Sequence, residues 1–258
     1  MRRILMVVLA GFLFTGCAPL TYRANNEFKS YFVQKKKVLV LSPNMKIFQL
    51  TAGGVDQYKD DWSVGSKNFM AAELKAELES FNTIDFVQLD NNVLSESNRR
   101  FIEQQNGIFY IVAHSVVTHT YESPTFFKHK IENFDYTLGE ELSAFKDIVD
   151  AEAILFIDGR NYIWTAGRAS LAFLSGAVGL FTGVYVPVPA GKEWLTASLV
   201  DIKTGDLLWF NYLAMPGDMR MEKTVRRLSK KLFRDFPKEW RDEGKWEIRK
   251  EEGHENND

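Results

Sequence analysis

The chain has 258 residues, of which 45% are hydrophobic and 26% charged, and its formal net charge is −2. This composition is ordinary for a folded protein, and the length suits one large or two small domains. A mildly acidic chain offers no electrostatic reason to bind nucleic acid, so we expect no nucleic-acid partner.

The N-terminus has the pattern of an export signal. Arg2 and Arg3 supply positive charge, and residues 4–14 form an apolar run of eleven residues. Such a run is too short to span a bilayer but suits the hydrophobic part of a signal peptide. It leads into Leu-Phe-Thr-Gly-Cys at residues 13–17, which resembles the lipobox of bacterial lipoproteins, with Phe14 where Leu is usual. The alternatives are an ordinary signal peptide and a buried N-terminal helix.

Cys17 is the only cysteine in the chain, although exported proteins usually pair their cysteines or lack them. We therefore predict a signal peptide over residues 1–16 and attachment of lipid, including palmitate, to Cys17. Each buried CH₂ group contributes about 0.8 kcal/mol to membrane binding, so several acyl chains make a stable anchor. Removing Arg2 and Arg3 with the signal takes the formal net charge from −2 to −4. In such lipoproteins Asp after the cysteine favours the inner membrane, so the resemblance implies that Ala18 favours the outer membrane.

Residues 17–35 are predicted to be a polar tether with a basic end. The tether contains four aromatic residues, Tyr22, Phe28, Tyr31 and Phe32. These side chains dock on the folded domain or on a partner, or they pack partially at the edge of the domain.

The next residues predict a strand, a helix and a second strand. "KKVLVLSP" reads as a buried strand that Pro43 closes, and the glycine-containing "TAGGVDQYKDDW" reads as a loop. "KNFMAAELKAELESF" has an apolar residue every three or four positions, which predicts an amphipathic helix. "DFVQLD" then predicts a strand. An opening of this kind is typical of a layered α/β domain.

The middle of the chain is less uniform. Residues 95–121 have strand-like composition in part, but apolar residues recur every four positions, and we favour one or two helices. "LGEELSAFKDIVDA" predicts a helix with Leu142, Phe145, Ile148 and Val149 on one face, and "AILFIDGRNYIW" predicts a strand.

A long uncharged stretch follows, because no charged residue occurs among the 23 residues between Arg168 and Lys192. A helix that spans a membrane needs about 20 apolar residues, and this stretch contains four glycines and two prolines. We expect a glycine-rich apolar connection between strands. It folds onto the core, inserts into a membrane or stays exposed as a contact surface with Phe181 at its centre, and we favour the contact surface.

The C-terminal third predicts a β-hairpin and a helix. Two apolar runs in "WLTASLVDIKTGDLLWFNYL" flank a turn whose Gly205 suits a left-handed conformation. "VRRLSKKLFRDF" has helical apolar spacing, and Pro237 should end that helix. From Lys238 onward 13 of 21 residues are charged, which predicts a mobile tail over residues 238–258. The predicted fold class is thus α/β over residues 36–237, in three layers or two, with a mixed sheet, helices packed on it and a C-terminal β-hairpin followed by a helix.

Few patterns in the chain point to catalysis. The four histidines form no His-Glu-x-x-His motif, the only cysteine is at the lipobox, and no Gly-x-Ser-x-Gly elbow occurs. We expect no enzymatic activity, no metal and no cofactor.

One polar constellation is a candidate for partner binding. "DGRNYIWTAGR" contains Asp158, Arg160, Asn161 and Arg168, and "FNYLAMPGDMR" contains Asn211, Asp218 and Arg220. Both groups lie at the ends of predicted strands and should meet at one edge of the sheet, where Arg168 or Arg220 would hold an acidic group of a partner. The alternative is that these side chains tie loops together and cap helices.

Three segments, "KKVLVLSPNMKIFQLTAGGVDQYKDDW", the strand with "GRNYIWTAGR", and "ASLVDIKTGDLLWFN…PGDMR", resemble an uncharacterised family of proteobacterial outer-membrane lipoproteins. The first strand and the hairpin are also similar, more distantly, to the α/β domain of the curli-secretion lipoprotein and of the lipoproteins that activate peptidoglycan synthases. The resemblance implies work in envelope assembly or transport through contacts with an envelope protein or through self-association. The alternatives are a self-assembling pore or secretion-channel subunit that inserts residues near 169–190 into the membrane, and an envelope hydrolase with an unrecognised site.

Overall fold

The computed structural model describes residues 22–31, 36–81, 84–89, 94–183, 193–214, 217–234 and 236. The predicted signal peptide (1–16), the lipidation site Cys17 and the charged tail (238–258) lie outside the described residues, as do Phe32, Pro237 and the uncharged residues 184–191.

Among the described residues, eight strands form one mixed sheet. They are β1 (Tyr22–Ala24), β2 (Lys36–Val40), β3 (Asn44–Leu50), β4 (Asp56–Tyr58), β5 (Ile84–Gln88), β6 (Ala153–Trp164), β7 (Trp194–Asp201) and β8 (Leu207–Ala214). The order β1-β8-β7-β6-β2-β5 runs across the sheet, and β3 pairs with β6 and with β4. The long strand β6 is central, because β2 pairs in parallel with its first part and β3 with its last part.

The α-helices are α1 (Phe28–Tyr31), α2 (Asp60–Leu78), α3 (Glu96–Val117), α4 (Lys128–Glu132), α5 (Ala166–Thr182) and α6 (Glu222–Leu232). A π-helical turn (Thr118–Glu122) follows α3, and a 3₁₀ helix (Glu140–Asp147) precedes β6.

Two hydrophobic cores lie on opposite faces of the sheet. Successive residues of β2 alternate between them, so that Val38 and Val40 face α2 and α6 while Leu39 faces α3 and the 3₁₀ helix. The domain therefore has three layers, helices on a mixed sheet on helices, which confirms the predicted fold class and selects the three-layer alternative.

Most predicted elements are present at their predicted places. The amphipathic pattern of α2 buries Met70, Leu74 and Leu78, and residues 96–117 are one helix rather than strands. The hairpin β7–β8 is confirmed, with Gly205 at φ +74° in its turn.

Four details differ from the prediction. Residues 44–50, which follow the strand end predicted at Pro43, form the strand β3. The helix predicted over "LGEELSAFKDIVDA" is a 3₁₀ helix that buries Leu142 and Phe145. Part of the predicted loop, residues 56–58, is the strand β4, which pairs with β3 as a short hairpin. Helix α6 ends at Leu232, before the predicted stop.

Part of the predicted tether belongs to the folded domain. β1 pairs antiparallel with β8, and Phe28 is buried in the core that contains α2 and α6, 6.5 Å from the ring of Phe236. Residues 22–31 therefore add a strand and a helical turn to the domain, whose predicted start was residue 36.

Candidate contact site

Helix α5 begins directly after the end of the central strand β6. The side chain of Thr165 caps its N-terminus by accepting a hydrogen bond from the backbone N–H of Arg168 (3.3 Å), and Gly183 ends it in the left-handed conformation (φ +72°). The apolar connection expected between two strands is thus helical in its described part.

Arg168 holds the first turn of α5 against the domain. It is the buried side chain of this helix, donates from Nη1 to the carbonyl oxygen of Thr51 (3.0 Å) and stacks over the ring of Trp164 (5.6 Å). Its guanidinium is directed at the loop after β3, which agrees with the alternative that these side chains tie loops together.

The rest of α5 is exposed rather than folded onto the core. Phe173 is 77% exposed, Leu180 88% and Phe181 91%, and Leu171, Leu174 and Val178 are also largely exposed. A monomeric protein in water rarely leaves so many neighbouring large apolar side chains uncovered. This segment is consequently the strongest candidate contact surface in the described part of the chain.

In the described part of the chain, every helix falls short of the length or the apolar character that crossing a membrane takes.

Asn161 joins three segments at the end of the sheet from which α5 departs, which we call the α5 end. Its Oδ1 accepts from the backbone N–H of Met219 and its Nδ2 donates to Oε1 of Glu193, both at 3.0 Å. The two polar groups of the sequence therefore meet in part, through Asn161 and the 217–220 segment. Burial raises the pKa of Glu193, which also accepts from the backbone N–H of Tyr162 (3.1 Å).

Asp218 and Arg220 form an ion pair with each other. Arg220 donates from Nε and Nη2 to the two carboxylate oxygens of Asp218, at 2.9 and 2.7 Å, and its guanidinium lies 4.5 Å from the ring centre of Trp62. The hydrogen bond from Arg220 holds the pKa of Asp218 below its usual value. Each side chain remains about one third exposed, so the pair borders solvent.

Asn211 does not belong to this group. It lies within β8, is fully buried, and donates from Nδ2 to the carbonyl oxygen of Leu232 (2.6 Å) while its Oδ1 accepts from the backbone N–H of Tyr212 (2.8 Å). Its side chain fastens the last turn of α6 to the sheet, and a partner cannot reach it in this fold. The sequence placed it correctly on a strand but at the wrong position along that strand.

A row of aromatic side chains beside Arg160 was not recognised from the sequence as a unit. Because side chains alternate along a strand, Asp158, Arg160 and Tyr162 of β6 share the face toward α3. The guanidinium of Arg160 lies 3.9 Å from the ring centre of Tyr110, and Tyr162 stacks on Phe48 at 5.1 Å. The i, i+2, i+4 spacing of the β6 residues was the sequence signal that pointed to a shared face.

Asp158 is a buried carboxylate at the base of this row. Its two oxygens accept from Nδ2 of Asn44 (2.6 Å) and from Nε1 of Trp194 (2.9 Å), and burial raises its pKa. These neutral donors hold the carboxylate between the first residues of β3 and β7. Among the described residues, no group of three or more His, Cys, Asp or Glu side chains is placed to hold a metal ion.

No protein-family model and no curated protein matches the chain. Similar solved structures include the PelC dodecamer from Paraburkholderia phytofirmans, 11% identical over 82% of this chain and 91% of that one, with a TM-score of 0.31. They also include the LpoB C-terminal domain from Salmonella enterica (13% identity, 74% of this chain, 94% of that one, TM-score 0.26). A third is lipoprotein GNA1162 from Neisseria meningitidis (10% identity, 78% of this chain, 97% of that one, TM-score 0.28). Similarity this weak assigns neither a family nor a function.

Proposed function

We propose that this chain is a lipid-anchored protein of the outer membrane that faces the periplasm and acts by contacts in envelope assembly or transport, not by catalysis. The anchor is supported by the sequence, in which the only cysteine ends a signal-like apolar run in a lipobox-like pattern. The partner is an envelope protein or a further copy of the chain.

The exposed apolar surface of α5 is the observation that carries the contact function. Six large apolar side chains of one helix are between 48% and 91% exposed, and the helix has no charged residue after Arg168. Exposing apolar surface to water costs free energy in proportion to its area. We therefore expect a partner surface to cover these side chains in the cell. A contact protein needs a surface of this kind, whereas a catalytic site needs converging polar groups in a pocket.

A second candidate function is a self-assembling pore or secretion-channel subunit. The observation that favours it is the position of the apolar surface at the start of a longer uncharged stretch that ends only at Lys192. Such a subunit would form oligomers of defined size in lipid and would release a small dye trapped in vesicles. The contact protein of the first proposal would leave the vesicles sealed.

Replacing the acceptor cysteine tests the anchor. Cys17→Ser removes the only thiol that can receive lipid, so the variant should leave the membrane fraction or keep its signal peptide. Mass spectrometry of the mature wild-type N-terminus should show the added acyl mass. Ala18→Ser, at the adjacent position, is the matched control and should remain processed and in the outer-membrane fraction. A Cys17→Ser variant that is processed and still sediments with the outer membrane would exclude the lipid anchor.

A further inference from the structure

The exposed part of α5 has two unlike halves. At about 100° per residue, the large side chains fall within one half of the helix circumference. These are Leu171, Phe173, Leu174, Val178, Leu180 and Phe181. The other half carries small residues, namely Ala172, Ser175, Gly176, Gly179 and Thr182. One side of α5 therefore suits a hydrocarbon phase, and the other side exposes hydroxyls and backbone to a more polar one.

The strand directions place the N-terminal end of the domain on the same side as α5. β1, β8, β7 and β6 are successively antiparallel, so β1 begins toward the end of the sheet where β6 finishes. The registers show that Tyr22 pairs with Asn211, Asn211 with Ala197, and Ala197 with Ile157. Tyr22 is thus level with Ile157, and the first residue of β1 is the one nearest to the α5 end.

The length of the chain between Cys17 and Tyr22 limits how far the lipid can lie from the α5 end. From Ile157 to Trp164 β6 rises by seven residues, about 23 Å at 3.3 Å per residue. The five residues from Cys17 to Tyr22 reach at most about 17 Å. A segment of that length directed from Tyr22 toward the α5 end stops at least about 6 Å short of the level of Trp164. A membrane surface at the lipid on Cys17 would therefore meet the last residues of β6, and the shortfall is comparable to the thickness of one polar layer of a bilayer. The start of α5 comes directly after that point.

Side chains typical of a membrane–water boundary surround the α5 end. Trp164, the last residue of β6, is 36% exposed, and Tyr58 and Val55 of the adjoining hairpin are 51% and 60% exposed. Trp and Tyr are enriched where one end of a ring meets hydrocarbon and the other meets water. The depth inferred from the length of the chain and the chemistry of the surface agree at this end of the molecule.

We propose that α5 lies in the surface of the bilayer that holds the lipid on Cys17, with its half of large side chains turned to the hydrocarbon. The occupant of the apolar surface is then membrane lipid, and the domain is fixed at two points on one side. A second attachment restrains the orientation that a single flexible tether leaves free. The inference deepens the proposed function and rests on its lipid anchor.

A fluorescent label at Phe181 tests the inference in the full lipidated chain. Because acylation occupies the sulfur of Cys17, Phe181→Cys introduces the only reactive thiol, which an environment-sensitive dye can label. Lys203→Cys, in the exposed β7–β8 turn at the opposite end of the sheet, is the matched control. Leu180→Cys, at an 88% exposed position, provides a second test site. Each labelled protein is reconstituted in vesicles of phosphatidylethanolamine and phosphatidylglycerol, with and without a quencher attached to the acyl chains.

We expect the fluorescence emission of the dye at residues 180 and 181 to shift to shorter wavelength. The lipid-borne quencher should quench the dye at these two positions severalfold more than the dye at residue 203. Dyes that report water at all three positions would overturn the proposal. A blue shift that the quencher does not reach would also overturn it, since a protein surface, such as a second copy, would then cover α5.

The same samples test the lipid anchor and the position of α5 separately. The acyl mass on Cys17 reports the proposed function, while quenching at residues 180 and 181 reports the position of α5. If the protein is acylated but α5 remains in water, the lipid anchor is supported and the proposed position of α5 is wrong. A protein without the acyl mass refutes the anchor, and the same labels in a Cys17→Ser background, mixed with added vesicles, then decide the position of α5.

Discussion

Gly205 shows how a single residue determines the geometry of the hairpin. Its φ of +74° is strained for residues with a side chain, and a Cβ atom there would run into the backbone carbonyl of Gly139. Gly205→Ala should therefore lower the free energy of unfolding by about 1 kcal/mol or more. Urea denaturation followed by circular dichroism measures this loss.

Gly65 provides the control for that substitution. It lies within α2, and a Cβ atom there would meet nothing within 4 Å. Gly65→Ala should leave stability unchanged or raise it by up to about 1 kcal/mol, because Ala is the better helix former. Equal effects of the two substitutions would show that the turn is not constrained as described.

The Asp218–Arg220 pair should make stability depend on pH in one direction. Arg220 depresses the pKa of Asp218, so the pair contributes stability above the unfolded pKa of the carboxyl, and the contribution is lost as pH falls through the lower folded pKa. Asp218→Asn should thus lower the free energy of unfolding at pH 7 by at most about 1 kcal/mol, because the pair borders solvent. Thermal melting at pH 7 measures the loss. The difference from wild type should vanish in strong acid.

A double-mutant cycle with Arg220→Gln isolates the pair from other effects of each substitution. Once Arg220 is removed, Asp218→Asn should have little further effect at pH 7. A full effect of Asp218→Asn in that background would show that the carboxylate stabilises the fold through other groups.

At the scale of elements, α5 buries Arg168 but leaves its large apolar side chains exposed. Phe181 is 91% exposed, so Phe181→Asp should leave the melting curve of the chain unchanged while abolishing contact with the surface that α5 meets. Thermal melting of the unlipidated Cys17→Ser chain and flotation of that chain with vesicles measure the two properties.

Phe126, which is 84% exposed and lies far from α5 in the sequence, provides the matched control. Phe126→Asp should keep both the melting curve and the flotation of the parent chain. If Phe181→Asp fails to fold, α5 is part of the core and the contact surface must lie elsewhere.

Elements with local periodicity were the ones that could be predicted from sequence. Helix α2 and the hairpin β7–β8 follow from the spacing of neighbouring apolar residues and from one turn glycine. Strand β3 was missed because Pro43 suggested an end, whereas the chain resumes at Asn44 beside the same strand β6. Only the partner strand reveals that β2 and β3 extend one another.

At the scale of the whole molecule, Phe28, which follows the predicted lipid site by eleven positions, is part of the core. Phe28 is 3% exposed and packs against Phe236, which connects the N-terminal segment to the far end of the described chain. Phe28→Ala should cost about 3–5 kcal/mol of unfolding free energy, as for other buried phenylalanines. Urea denaturation of the full chain checks the value.

Phe126→Ala, at an 84% exposed position, should change stability by less than about 0.5 kcal/mol under the same conditions. An effect of Phe28→Ala that is as small would place residues 22–31 outside the cooperative unit.

The sequence by itself determined the α/β class, the hairpin and the amphipathic helices, and it located the uncharged segment, because periodicity and absence of charge are properties of neighbouring residues. It also predicts the lipid on Cys17. The tertiary structure alone decided that β1 pairs with β8, that Asn211 and Arg168 are held inside the domain, and that α5 departs beside the N-terminal end. These features depend on contacts between residues that are distant in the sequence, 21 positions for Asn211 and Leu232 and 117 for Arg168 and Thr51, and on what is left uncovered after those contacts form. Neither these contacts nor the surface left uncovered can be read from a local sequence pattern.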